Sequence, residues 1–372
     1  MLFYASIMLL FLLLAMTKQN RVRSTMMTVF CGTILALIMG LKSESVGNDT
    51  ENYVYFFKRI GSMSSWTDLE SRFETGYQIY SKIIGKIFNN YQYLFIITAI
   101  VCMVCVGVCI CKYSANAAYS FFLFVGLRIF YFFLSGLRQS IAVSIVMIAF
   151  IMLQEKKYVR FVLLVLLATT FHTSAFIFLL AWPISRMRLS GKGILITGIG
   201  ILGAYVLFAE LLSLILGLLP SYYAHYLTTS AFDAGNLANY LDFAIKVAFL
   251  VLAYLMNYGS RERQKAISDN QRAGKNAAKT IPIQDTYIYF MIISAGLSLV
   301  ATRASMLDRL EQYYWIFAVI SIPDILAKIE KRKNKVIVIT AVTILIVAYN
   351  LLLLWLRPEW NMIVPYKFFW EN

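Results

Sequence analysis

Three side chains in this sequence are candidate general bases for group-transfer chemistry: Asp49 in Gly47-Asn48-Asp49-Thr50, Glu74 in Phe73-Glu74-Thr75-Gly76-Tyr77, and His172 in Phe171-His172-Thr173-Ser174-Ala175. A carboxylate close to a low-dielectric boundary can have its pKa raised towards working pH, which suits it to take a proton. The bland alternatives are equally concrete. Asp49 and Glu74 can hold a loop together through Arg72 or Lys58, and a single His near an apolar turn can serve as a satisfied core donor. Three arginines are candidate ligands for an oligo-anion such as a diphosphate: Arg138, Arg303 and Arg309. Arg138 opens a helix at Gly136-Leu137-Arg138-Gln139, where its fork of donors adds to free backbone N–H groups and the positive end of the helix dipole. Arg303 and Arg309 are too far apart for one helix face, but a turn near Ser305 can bring both to one anion. Against this, each Arg can snorkel to an interface or form a structural pair, such as Arg309 with Asp308 or Glu311.

These residues sit in a chain made almost wholly of apolar runs. Of 372 residues, 60% are hydrophobic and only 14% are charged, with a mean hydropathy of +0.70. A soluble domain carries about a quarter charged residues, so a water-soluble fold is excluded. A bilayer core about 30 Å thick needs roughly 20 apolar residues per helix. Apolar runs near 2–16, 25–41, 93–111, 115–135, 139–153, 159–171, 173–185, 194–219, 241–258, 284–301, 310–328 and 336–356 predict an all-α polytopic bundle of about 12 membrane segments, forming one integral membrane domain over 1–372. The first run lacks a preceding basic region and a cleavage-site pattern, so it reads as a retained helix. Cys102, Cys105, Cys109 and Cys111 share one apolar run, where packing thiols are expected rather than a metal site.

The net charge of +15 gains meaning from its placement. Basic clusters at Lys18–Arg23, Lys156–Arg160, Arg186–Lys192, Arg261–Lys279 and Lys328–Lys335 all fit a cytoplasmic face, which excludes nucleic acid as the natural partner and makes the bilayer that partner. The segment 259–280 then reads as a flexible basic cytoplasmic loop attracted to anionic lipid. Segment 42–92, with six basic and six acidic side chains among Tyr, Phe and Trp, reads as an outer loop folded against the membrane surface. Ser221-Tyr222-Tyr223-Ala224-His225-Tyr226 reads as an outer aromatic belt. The stretch 159–185 is too short for two full spans between basic clusters on one side, so it predicts two short or re-entrant helices turning at His172. Charges inside apolar runs are few: Arg128, Glu210, Asp242 and Lys246. Arg128, deep in an aromatic run, is expected to face the bundle interior, either on substrate or paired with Glu210.

No phosphate-binding Gly-rich loop, no Gly-x-Ser-x-Gly, no His-Glu-x-x-His and no Asp-x-Asp pair is present, so nucleotide-driven chemistry, a cofactor and a bound metal are not expected.

The ordered motifs resemble those of the EpsG family of bacterial polytopic membrane proteins. They are Val46-Gly47-Asn48-Asp49-Thr50-x-x-Tyr53, Phe73-Glu74-x-Gly76-Tyr77, Leu137-Arg138-Gln139-x-Ile141-Ala142, Phe171-His172-x-Ser174-Ala175, Arg303-x5-Arg309 and Val364-Pro365-Tyr366. The resemblance runs over nearly the whole chain and rests on the order of short motifs. Lys42 stands where the family more often has an Arg, offering a point charge in place of a bidentate fork. The family is grouped with Wzy-type polysaccharide polymerases. What the resemblance implies is a glycosyltransferase at the outer face of the bacterial inner membrane, joining undecaprenyl-diphosphate-linked repeat units into capsule, exopolysaccharide or O-antigen, possessing no cofactor and aided by a chain-length regulator. On that reading Arg138, Arg303 and Arg309 stabilise the leaving diphosphate, Asp49, Glu74 or His172 takes the acceptor proton, and Gln139, Tyr53, Tyr77 and Arg128 contact other parts of the substrate. The competing classes are a ligase using the same donor and a flippase for the lipid-linked unit. The scarcity of interior charge leans against the flippase.

Overall fold

The computed structural model describes residues 1–17, 20–62, 73–208, 210, 237–258, 281–303 and 307–371. Arg72, His225, Ser305, Lys18 and the basic loop 259–280 lie outside the described residues. Among those described the chain is all-helical, with one isolated antiparallel bridge, Lys42 to Phe368. The chain divides into two units: residues 1–179 with 330–372, and residues 180–329.

The first unit contains α1 (Leu2–Ala15), α2 (Arg21–Gly40), α3 (Thr50–Ser62), α4 (Thr75–Phe88), α5 (Gln92–Tyr113), α6 (Ala117–Gly126), α7 (Ile129–Ser135), α8 (Leu137–Gln154) and α9 (Tyr158–Phe171); α10, the C-terminal helix of this unit, spans Arg332–Leu356. Asn20 and Asn116 cap α2 and α6 by accepting from Arg23 N–H and Tyr119 N–H, the expected use of a short amide before a helix. The second unit contains a four-residue turn of helix at Ala181–Ile184, then α11 (Gly191–Val206), α12 (Leu237–Tyr258), α13 (Ile283–Ala301), α14 (Asp308–Trp315) and α15 (Ala318–Ala327).

Six described helices, α2, α5, α8, α12, α13 and α10, are long and apolar enough to cross a membrane, and the bent pair α6–α7 makes a seventh if it is one span. These helices fit a multi-pass membrane protein. Twelve full spans are not found among the described residues, because several apolar runs fold as helices of 10–17 residues, α1, α9, α11 and α15 among them. At 1.5 Å per residue a 14-residue helix reaches only about 21 Å, short of the hydrocarbon thickness. In the stretch 159–185, α9 ends at Phe171, His172 is extended, and a 3₁₀ segment follows over Thr173–Leu180.

Within the first unit the 42–50 segment is anchored from below. Lys42 is fully buried, and its ammonium donates to Val46 O at 2.8 Å, to Thr50 Oγ1 at 2.7 Å and to Leu134 O. Burial pushes this amine down to about 7, with Asp49 acting in the opposite sense. Gly47 has φ of 104°, and a Cβ there would meet Leu134 O at 2.6 Å, so only glycine fits. The same segment is stitched to the C-terminal residues: Gly47 N–H donates to Met362 O at 2.8 Å, Asn48 Nδ2 to Trp360 O at 2.8 Å, and Ser43 N–H to Lys367 O at 2.9 Å.

Candidate functional site

Glu74, Arg138 and His172, far apart in sequence, meet in the first unit. Glu74 immediately precedes α4 in extended conformation, yet its carboxylate does not cap that helix. Instead one oxygen accepts from Arg138 Nη1, and the other lies 3.0 Å from His172 Nδ1 and accepts the Thr173 N–H at 3.2 Å. Arg138 comes from the first turn of α8, which starts afresh after the break at Gly136. His172 comes from the extended residue that ends α9. The approach of α4 to α9 is set by Gly76: a Cβ there would stand 2.2 Å from Thr170 Oγ1 and 2.7 Å from Thr170 O. A residue with any side chain would push the start of α4, and Glu74 with it, away from His172.

The three side chains are partly buried, with 15–18% exposure each. Burial alone would raise the Glu74 pKa, but the hydrogen bond with His172 and the Arg138 charge outweigh it and hold the carboxyl at about 2. Glu74 is therefore a firm anion at neutral pH and a weak proton acceptor. Its contact with Nδ1 orients the imidazole, the arrangement by which a carboxylate fixes the tautomer of a histidine base. The Arg138 guanidinium lies over the Phe73 ring at 4.7 Å and near the Tyr53 ring at 5.9 Å. Its guanidinium also hydrogen-bonds Tyr53, and its buried Nε has no hydrogen-bond partner among the described residues, so one donor is left over.

The other predicted residues fall around this cluster or elsewhere. Tyr53 and Tyr77 are buried and pack edge to face at 5.6 Å, in one aromatic group with Phe56 and Phe73. They back the site as a wall. Gln139, next to Arg138, is buried. Asp49 is half-buried beside the Lys42 charge. Arg128 takes a left-handed conformation, φ 66°, at the 63° bend between α6 and α7. Its guanidinium donates to Asn361 Oδ1 at 3.2 Å and lies over the Tyr131 and Trp360 rings. Arg303 and Arg309 belong to the second unit, where both are exposed and Arg303 lies 4.5 Å over the Tyr205 ring. The residues that sequence reasoning missed are Thr170, whose only signal is its place two residues before His172, and Lys42 as a buried hub rather than only a point charge in place of an Arg.

The EpsG family model matches residues 25–368, nearly the whole chain. The chain belongs to the EpsG family. No curated protein and no solved structure matches it. Family membership is consistent with a Wzy-like polysaccharide polymerase.

Proposed function

We propose that the chain polymerises undecaprenyl-diphosphate-linked oligosaccharide repeat units into a surface polysaccharide, at the outer face of the bacterial inner membrane. The observation that supports this most is the joining of an imidazole and a guanidinium on one ionised carboxylate, Glu74. Glycosyl transfer from a lipid diphosphate asks for two things: a base for the acceptor hydroxyl and a cation for the departing diphosphate. His172 takes the acceptor proton with Glu74 orienting its ring, and Arg138 offers its remaining donor to the diphosphate. Arg303 and Arg309 are proposed as further diphosphate ligands on their place in the family motifs. The bond to the diphosphate is already activated, so no nucleotide enters the step. The acceptor hydroxyl attacks the anomeric carbon with inversion, the C–O bond to the diphosphate breaks, and the proton passes to His172.

The test is a gel profile of surface glycan with extracted lipid-linked intermediates, from the native host with the wild-type gene, without it, and with His172→Ala or Arg138→Ala. Loss of long chains with single repeat units left on the carrier facing outward is expected for the deletion and for each variant, membrane insertion being intact. Long chains that persist on the carrier without reaching an acceptor would replace this reading with a ligase. Single units held facing the cytoplasm would replace it with a flippase.

A further inference from the structure

The second unit carries a partly buried cluster of ionisable side chains outside the Glu74 site. Asp242 and Lys246 stand one turn apart on α12, Ser298 lies near the end of α13, and Asp308 and Glu311 share the first turn of α14. The Lys246 ammonium pairs with Asp242 and, at 2.7 Å, with Glu311 Oε1. Ser298 Oγ donates to Asp242 Oδ2 at 3.1 Å. Carboxylate oxygens of Asp242, Asp308 and Glu311 lie within 4.8 Å of one another.

Two features go beyond a gathering of acids. First, among the described residues three carboxylates face two cations, Lys246 and the exposed Arg309, and the Lys246 and Glu311 side chains are each only 1% exposed. Arg309 acts on Asp308 by its charge but is itself exposed to solvent. An uncompensated buried charge is costly enough that it must be met by a counter-ion or by protons. Second, Lys246 and the Gln312 amide both go to Glu311 Oε1, whereas the buried Oε2 meets no hydrogen-bond donor among the described residues.

We propose that Asp242, Asp308 and Glu311 form a binding site for a hard divalent cation of the Mg²⁺, Mn²⁺ or Ca²⁺ class. The donor set is oxygen only, which suits these ions and not zinc. Their metal–oxygen distances of about 2.0–2.6 Å let one ion bridge oxygens that are up to roughly 5 Å apart. Lys246 is then the internal competitor, holding two of the three carboxylates when no ion is bound.

The experiment uses the full-length chain in nanodiscs of zwitterionic lipid, stripped with chelator and titrated with Mn²⁺ while free Mn²⁺ is followed by electron paramagnetic resonance. One saturable Mn²⁺ per chain, displaced by Mg²⁺ or Ca²⁺, is expected. Glu311→Gln and Asp308→Asn should each weaken it at least tenfold, and Lys246→Gln should tighten it by removing the competing ammonium. No saturable binding by the wild type overturns the proposal, as does equal affinity in both acid variants. A wild-type melting temperature that responds to pH but not to Mn²⁺ also overturns it, because protons then neutralise the cluster. If Glu311→Gln or Lys246→Gln fails to insert, the wild type and Asp308→Asn decide the matter.

Discussion

Glu74 Oε1 stands 3.0 Å from His172 Nδ1 while the other oxygen of the same carboxylate takes an Arg138 N–H. One side chain thus fixes the position of a candidate base and of a candidate anion ligand. Moving it disturbs both, whereas removing either partner disturbs only one.

The ranking of variants follows. In an assay of chain growth from purified lipid-linked repeat units, His172→Ala should lower turnover by about 10²–10⁴-fold, the usual contribution of a general base. Glu74→Gln keeps the shape but loses the charge that holds both partners, and should cost at least as much, up to about 10⁴-fold, as for a carboxylate that orients a histidine base. A fully active His172→Ala beside an inactive Glu74→Gln would move the base to the carboxylate.

Glu74 also links stability to acid. Its carboxyl is held at about 2 in the folded chain against 4.5 for the free group. Its contribution is therefore complete above pH 4.5 and is lost as pH falls towards 2. At roughly 1.4 kcal/mol per pH unit the difference is worth about 3 kcal/mol. Thermal melts in nanodiscs between pH 6 and pH 3 should show wild type losing its advantage over Glu74→Gln below pH 4.5. A constant gap across that range would remove the linkage.

Gly76→Ala tests the approach of α4 to α9. The added carbon would overlap Thr170 Oγ1 and Thr170 O, and nearby backbone cannot yield as a flexible side-chain end can. The cost should be about 1–3 kcal/mol, as for overpacking, with activity falling further than the melting temperature because Glu74 is displaced. Polymer yield equal to wild type at unchanged stability would show that the approach is not required.

Lys42→Met removes the ammonium that three oxygens share and leaves Val46 O and Leu134 O without that donor in a fully buried place. Val46 O still accepts from Thr50 Oγ1 at 2.7 Å, and a lost partner for a buried polar group costs about 1–3 kcal/mol, so a loss of that order is expected. Limited proteolysis of membranes should find the variant cut faster around 41–50, and an unchanged cleavage rate would dismiss the hub.

Much of this was readable before any coordinates. Runs of 18 or more apolar residues announce α5, α12, α13 and α10, because a bilayer demands length and apolarity together. The count of spans was not readable, since α1, α9 and α15 are apolar but short, and composition does not report where a helix stops. Glu74, Arg138 and His172 each stood out by type and motif. Their meeting did not, because it depends on α4 packing against α9, and the one local trace of that contact is a glycine at 76. Lys42 looked like a weaker stand-in for an arginine, as burial of a lysine leaves no mark on the residues beside it. Asp242 and Lys246 were visible as interior charges. Their link to Asp308 and Glu311 crosses between α12 and α14, beyond the reach of spacing.

The stitching of residues 41–50 to residues 360–369 carries a consequence for biosynthesis. All of the second unit is translated between these partners, so the nascent chain inserts helix after helix with the 42–50 segment still lacking its C-terminal wall. Only when the ribosome has delivered Trp360, Met362 and Lys367 can Asn48, Gly47 and Ser43 find their acceptors. Segment 42–50 therefore matures last although it is made early, and a chain arrested short of residue 360 would reach the membrane with it still open.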